Sequence, residues 1–237
     1  MQRITAIFVL FLCAFVHSVQ AGVVIGGTRI IYPEKQSEVQ VSLRNKDKDE
    51  RYLVQSWVSN VDDTKAPFVI TPPIYKLEEN RKTLLHVIYT GDGKSLPQDR
   101  ESIFIMNVKS VSAIPPELKN KNTLQFAVKT KIKLFWRPEK LSGSAAETAW
   151  QKLQFRRQGT QLIAKNPTPF YISFGKLTVG GKDVSPPNDK TIPPALTMMV
   201  APFSEHYFQL SSESGGEVSW TAINDFGAET KSHKQSL

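Results

Sequence analysis

Residues 123–138 read TLQFAVKTKIKLFWRP. Leu124, Phe126, Val128, Thr130, Ile132, Leu134 and Trp136 fall on one parity, and Gln125, Lys129, Lys131, Lys133 and Arg137 on the other. A side-chain period of two is the signature of an extended strand, and this one runs well past the usual length of about five or six residues. A strand with a full apolar row and a basic row has two stable placements. It can lie inside a sandwich, where its apolar row is ordinary core. It can instead lie at an edge, where its unpaired amides and carbonyls are a template for another chain. Pattern alone leaves both open, and either one makes the chain a β protein.

The rest of the sequence agrees. VVIGGTRIIY, SEVQVSLRN, YLVQSWVS, FVITPPIYKL, TLLHVIY and SIFIMNVKSV precede the long strand and read as short strands. Turn residues divide them at Pro33-Glu34, Asn45 to Asp49, Asp62-Asp63, Gly91 to Gly93 and Pro115-Pro116. Seven such runs predict an immunoglobulin-like sandwich, with Trp57 as its core tryptophan. Pro138 cannot donate to a ladder and should end the long strand. EKLSGSAAET follows as a polar linker, with a short helix over Ala145 to Lys152. A second series then appears: LQFRRQG, QLIAKN, FYISFGKLTV, TMMVA, HYFQLS and VSWTAIND. The expected organisation is a domain at 22–138 and a second at 139–237, ending in the polar, fraying tail AETKSHKQSL.

Residues 1–21 stand apart. Arg3, an apolar run from Ile4 to Val16, and Val19 and Ala21 ahead of a cut predict a secretory signal peptide cleaved after Ala21. The apolar run, roughly 13 residues, is too short for a membrane span, so no stable membrane insertion is expected. Cleavage removes Cys13, the one cysteine, and so excludes thiol catalysis, redox CxxC chemistry and cysteine metal sites. It also removes one positive charge from a formal +8, leaving +7. An exported protein meets little nucleic acid, so the basic balance points to a solvated surface, an anionic membrane surface or an acidic partner. His86, His206 and His233 are far apart with no HExxH grouping, and neither a GxSxG elbow nor a phosphate loop occurs. No catalytic residue, cofactor or metal is therefore expected, and the protein is read as a non-enzyme.

Several stretches in one order carry a resemblance: GTRIIYPEKQSEVQVSLRN, TPPIYKLEENRKTLL, LPQDRESIFIMNV, LQFAVKTKIKLFWRP, NPTPFYISF, VAPFSE and AINDFG. Together they cover the mature chain, which resembles the periplasmic chaperones that assemble pili by the chaperone–usher pathway. The resemblance implies two immunoglobulin-like domains set at an angle around a cleft, in the periplasm. It implies pilus or fimbrial subunits and an outer-membrane usher as partners, and leaves open whether the free chaperone self-associates. In that family the long strand fills the groove of a subunit lacking its own last strand.

Carried onto this sequence, the resemblance implies that Leu124, Phe126 and Val128 enter the subunit groove, with Ile132 extending the row. Arg29 and Lys133 would hold the subunit's C-terminal carboxylate, and Glu101, Arg137 and Asp225 would form an ion network between the domains. Lys129 and Lys131 are read as surface charges. Ile105 stands where relatives place an aromatic, and the cysteine pair that some relatives carry in the second domain is missing, so that domain would rely on packing alone. The short SVSAIPPELKNKNT segment resembles the short-loop branch of the family. The competing reading is a secreted immunoglobulin-like adhesin or structural fimbrial protein.

Overall fold

The computed structural model describes residues 22–93, 95–114, 121–141, 143–210 and 215–237. The signal segment 1–21 and residues 115–120, which carry the loop-length reading, lie outside them. In the first domain β1 (Val23–Ile25), β3 (Val39–Asn45), β5 (Phe68–Thr71) and β7 (Lys82–Tyr89) form one sheet in the order β1-β3-β7-β5. The facing sheet holds β2 (Arg29–Pro33), β4 (Tyr52–Ser59), β6 (Ile74–Leu77), β8 (Ser102–Ser112) and β9 (Ala127–Arg137), in the order β2-β9-β8-β4-β6. Alternate residues of both sheets meet between them. Leu43, Leu77, Val87, Met106, Leu134 and Trp136 are wholly buried there.

Two runs that read as single strands are each split between the sheets. VVIGGTRIIY becomes β1 in one sheet and β2 in the other, crossing over at Gly26-Gly27. A Cβ on Gly26 would come within 2.1 Å of the Ser42 hydroxyl, and Gly27 adopts φ +110°. Only glycine suits such a crossing. FVITPPIYKL likewise becomes β5 and β6 on opposite sheets, with Pro72-Pro73 between them. Trp57 is not the core tryptophan. On β4 it is Val54, Ser56 and Val58 that point inward and are buried, while Trp57 takes the opposite parity and is only half-buried. Trp136 of β9 fills the core instead.

A 3₁₀ turn (Glu139–Leu141), a short helix α1 (Ala145–Thr148) and a further 3₁₀ turn (Ala149–Lys152) lead out of β9. The second domain packs β10 (Gln154–Gln158), β11 (Gln161–Lys165) and β15 (Glu205–Gln209) against a sheet of β12 (Ile172–Val179), β13 (Lys182–Asp183), β14 (Met199–Val200), β16 (Glu217–Ala222) and β17 (His233–Ser236). Its core includes Phe155, Leu162, Phe174, Phe208 and Trp220. The tail does not fray as the sequence suggests. His233 to Ser236 pair antiparallel with β16 from Trp220 to Glu217. The Gln235 amide donates to the Phe155 carbonyl at 2.8 Å and its oxygen accepts from the Phe155 amide at 3.1 Å. This residue thereby ties the two sheets of the domain together. Polarity misled because backbone ladders and one amide, not apolar side chains, hold the segment.

Candidate functional site: an open strand edge running into a cationic cleft

β9 has two different halves. β8 pairs with it along its length, from Val111 opposite Ala127 to Ser102 opposite Trp136. On its other side, the parallel strand β2 pairs only with 133–137, beginning with Arg29 opposite Lys133. Residues 127–132 therefore have a strand neighbour on one side alone and present an unpaired backbone row.

The apolar row along this free half is uncovered. Leu124 is 81% exposed, Phe126 70% and Val128 59%. They share the parity of Leu134 and Trp136, so the core-facing side of the strand continues past the point where the domain supplies a facing layer. The Gln125 side chain donates to the Ser112 carbonyl at 2.6 Å and keeps the approach segment alongside β8. Ile132 does not extend the available row. It is 8% exposed and belongs to the domain's own core, because at that position the opposing sheet is still present.

On the opposite face Lys129 and Lys131 are more than loose surface charges. The Lys129 ammonium lies 5.0 Å from the Trp57 ring centroid, and Lys131 donates to both carboxylate oxygens of Asp63 at 2.9 and 3.0 Å. This answers why the row is basic: two lysines brace the free half of β9 against its own sheet from behind.

At the inner end of the edge, Arg29 and Lys133 stand directly opposite each other on adjacent strands. Arg29 Nη1 donates to the Ile223 carbonyl of the second domain at 2.7 Å, and its guanidinium lies 5.4 Å from the Phe135 ring centroid. Arg29 Nε is buried without a partner. No carboxylate pairs with Lys133 among the described residues. Burial first, and the neighbouring Arg29 charge second, lower its amine to about 8. Ile105, directly opposite Lys133 on β8, adds an apolar neighbour to that desolvation. Two adjacent cations with unspent donors make a seat for an anion, and a carboxylate suits the fork of an arginine beside the point charge of a lysine.

Glu101, Arg137 and Asp225 meet at the joint between domains. Arg137 donates through Nε to Glu101 at 2.8 Å, and through its two terminal nitrogens to Asp225 at 2.7 and 2.9 Å. Glu101 also accepts from the Tyr171 amide at 2.8 Å. Burial pushes its carboxyl upward, against the pull of Arg137 and that amide. The cleft between the domains, about 710 Å³, is lined by Arg29, Phe135, Arg137, Tyr171, Trp150 and Phe226 among others. The sequence motifs pointed to Arg29, Lys133 and the three ionic residues. They did not show that the Ile223 carbonyl completes the Arg29 site, because backbone acceptors leave no mark in side-chain patterns. No group of three or more potential metal ligands occurs among the described residues, and no described helix is long and apolar enough to cross a membrane.

Two immunoglobulin-like sandwiches joined through Arg137 and Asp225, with an open strand edge that runs to the adjacent cations Arg29 and Lys133, define a class of two-domain strand-edge binding proteins. The comparisons with known proteins are specific. Residues 22–142 match the family described as "Pili and flagellar-assembly chaperone, PapD N-terminal domain". Residues 148–234 match "Pili assembly chaperone PapD, C-terminal domain". The chaperone protein FocC of Escherichia coli is 37% identical over 235 residues, covering 98% of each chain. Among solved structures, the E. coli chaperone DraB aligns with a TM-score of 0.75 at 35% identity, over 91% of this chain and 98% of its own. The Salmonella enterica SafB chaperone, solved in complex with the SafA pilin, aligns with a TM-score of 0.76 at 30% identity, over 93% and 99%. The chain belongs to the pilus-assembly chaperone family.

Proposed function

We propose that this pilus-assembly chaperone works without catalysis in the periplasm, where it holds a pilus subunit by donating β9 to the subunit's incomplete sandwich and passes it to an outer-membrane usher. The observation that carries this reading is the pairing of a bare strand edge with an unsatisfied two-cation seat at its inner end. Leu124, Phe126 and Val128 are the side chains available to an apolar groove, each contributing up to roughly 1.5–3 kcal/mol when fully buried. The free backbone of 127–132 supplies the ladder that the subunit lacks. Arg29 and Lys133 fix the subunit's terminal carboxylate and so set the register. A one-residue slip would turn every inserted side chain to the wrong face. Export follows from the leader, with cleavage after Ala21.

The test is recovery of subunit complexes from periplasmic extracts. Arg29→Ala and Lys133→Ala should fold and lose the complex, because each removes donors from the carboxylate seat. Complex recovered at the wild-type yield from both variants would remove the anchor assignment.

A further inference from the structure

Three large apolar side chains are more exposed than any others described: Leu124, Phe126 and, on the second domain, Phe226 at 90%. A single exposed phenylalanine needs no explanation by itself. This one sits on a turn built for rigidity. Asn224 Oδ1 accepts from the amides of Phe226 and Ala228, both at 3.0 Å, and the Asn224 carbonyl accepts from the Gly227 amide at 3.0 Å. The same turn is tied to the first domain at three places. Arg137 clamps Asp225 with two bonds, Arg29 bonds the Ile223 carbonyl, and Gly227 approaches so closely that a Cβ would lie 2.3 Å from the Thr28 hydroxyl. Phe226 lines the cleft that Arg29 lines. A ring carried on that tied turn, at the cleft that Arg29 lines, and left in water is placed to touch whatever the cations hold.

We infer that Phe226 is a specificity-determining contact for the subunit, packing on apolar side chains next to the terminal carboxylate that Arg29 and Lys133 hold. The inference rests on the strand-donation reading and adds a second-domain surface to it. The Arg29–Ile223 bond makes the arrangement concerted: the residue that grips the carboxylate also positions the turn that carries the ring. The bound chain end is thus read twice, once for its charge and once for the apolar character of its last residues.

The test uses the mature full-length chain and synthetic peptides of alternating valine and threonine with a solubilising lysine pair at the N-terminus. One peptide ends in valines with a free carboxylate, one replaces its last two residues by serine, and one is amidated. Wild-type protein should prefer the free acid over the amide and the valine end over the serine end. Phe226→Ser should bind the valine-ended acid about tenfold more weakly, from loss of roughly half a ring's burial, with the valine-over-serine preference gone. Phe226→Tyr should restore both. Melting temperature should not change, since the side chain packs on nothing. An unaltered valine-over-serine preference in Phe226→Ser, with Arg29→Ala still weakening every free acid, overturns the inference and leaves the anchor standing. Equal binding of acid and amide by the wild type, or normal binding by Arg29→Ala, overturns the anchor reading and this inference with it.

Discussion

Lys133 carries the clearest tension between stability and binding at the level of single residues. Its amine is half-buried with no carboxylate paired to it among the described residues, and burial together with the Arg29 charge depresses it to about 8. A depressed lysine costs stability wherever both folded and unfolded states are protonated, that is below pH 8, and the cost fades as pH rises from there toward the unfolded value of 10.5. Lys133→Met should therefore raise the melting temperature at pH 7, by roughly 2–4 °C for about 1 kcal/mol after allowing for water at the amine, while abolishing subunit binding. Calorimetry and complex recovery on the same variant check both halves. The same site makes binding pH-dependent. Below pH 8 the amine is charged in free and bound protein alike, so affinity stays level. Above it, binding a carboxylate requires proton uptake, and affinity should fall by up to tenfold per pH unit. Lys133→Arg should give a flat profile to pH 10, because a guanidinium keeps its charge throughout. Arg29 and Lys133 were legible in the sequence through the motifs around them. Ile132 was misplaced because parity says which way a side chain points and not where the opposing layer ends.

Among the elements, β9 carries the proposed function through its unequal partners. Leu124→Glu with Phe126→Glu should leave folding intact, as both side chains are exposed, and should abolish subunit capture by putting charge into an apolar groove. Capture at the wild-type level by this double variant would show that the strand is not donated. The bracing behind the strand gives a milder effect. Asp63→Ala removes the clamp on Lys131 with little effect on global stability, as expected of an exposed pair. Amides of 128–131 should nonetheless exchange several-fold faster with solvent, and hydrogen exchange measured segment by segment reads this directly. The period-two pattern exposed nearly every strand but not its sheet. VVIGGTRIIY and FVITPPIYKL each read as one run because a chain that changes sheets keeps its alternation on both sides of the crossing. β17 was missed for the opposite reason: HKQS has no apolar alternation, and its order comes from the ladder to β16 and the Gln235 bonds to Phe155.

For the molecule as a whole, the joint and the second sandwich set the working geometry. Arg137→Ala leaves Glu101 buried with its charge partner gone, which should destabilise by about 3–5 kcal/mol. Gln235→Ala should cost the second domain about 2 kcal/mol by leaving Phe155's amide and carbonyl unmatched, and denaturant titration followed by tryptophan fluorescence distinguishes the two. The Gln235 bonds to Phe155 tie the two sheets of the second domain together, so that domain does not rely on packing alone. The two-domain layout and the ionic triad were readable from motifs. The tie between Arg29 and Ile223 was not, since it joins positions 194 residues apart through a backbone oxygen. The split partnership of β9 has one more consequence. From Lys133 to Arg137 the ribbon is gripped on both flanks by its own sheet. On the strand-donation reading, a guest zipping onto the bare end then has no route to unravel its host, and its departure leaves the starting conformer with nothing to refold.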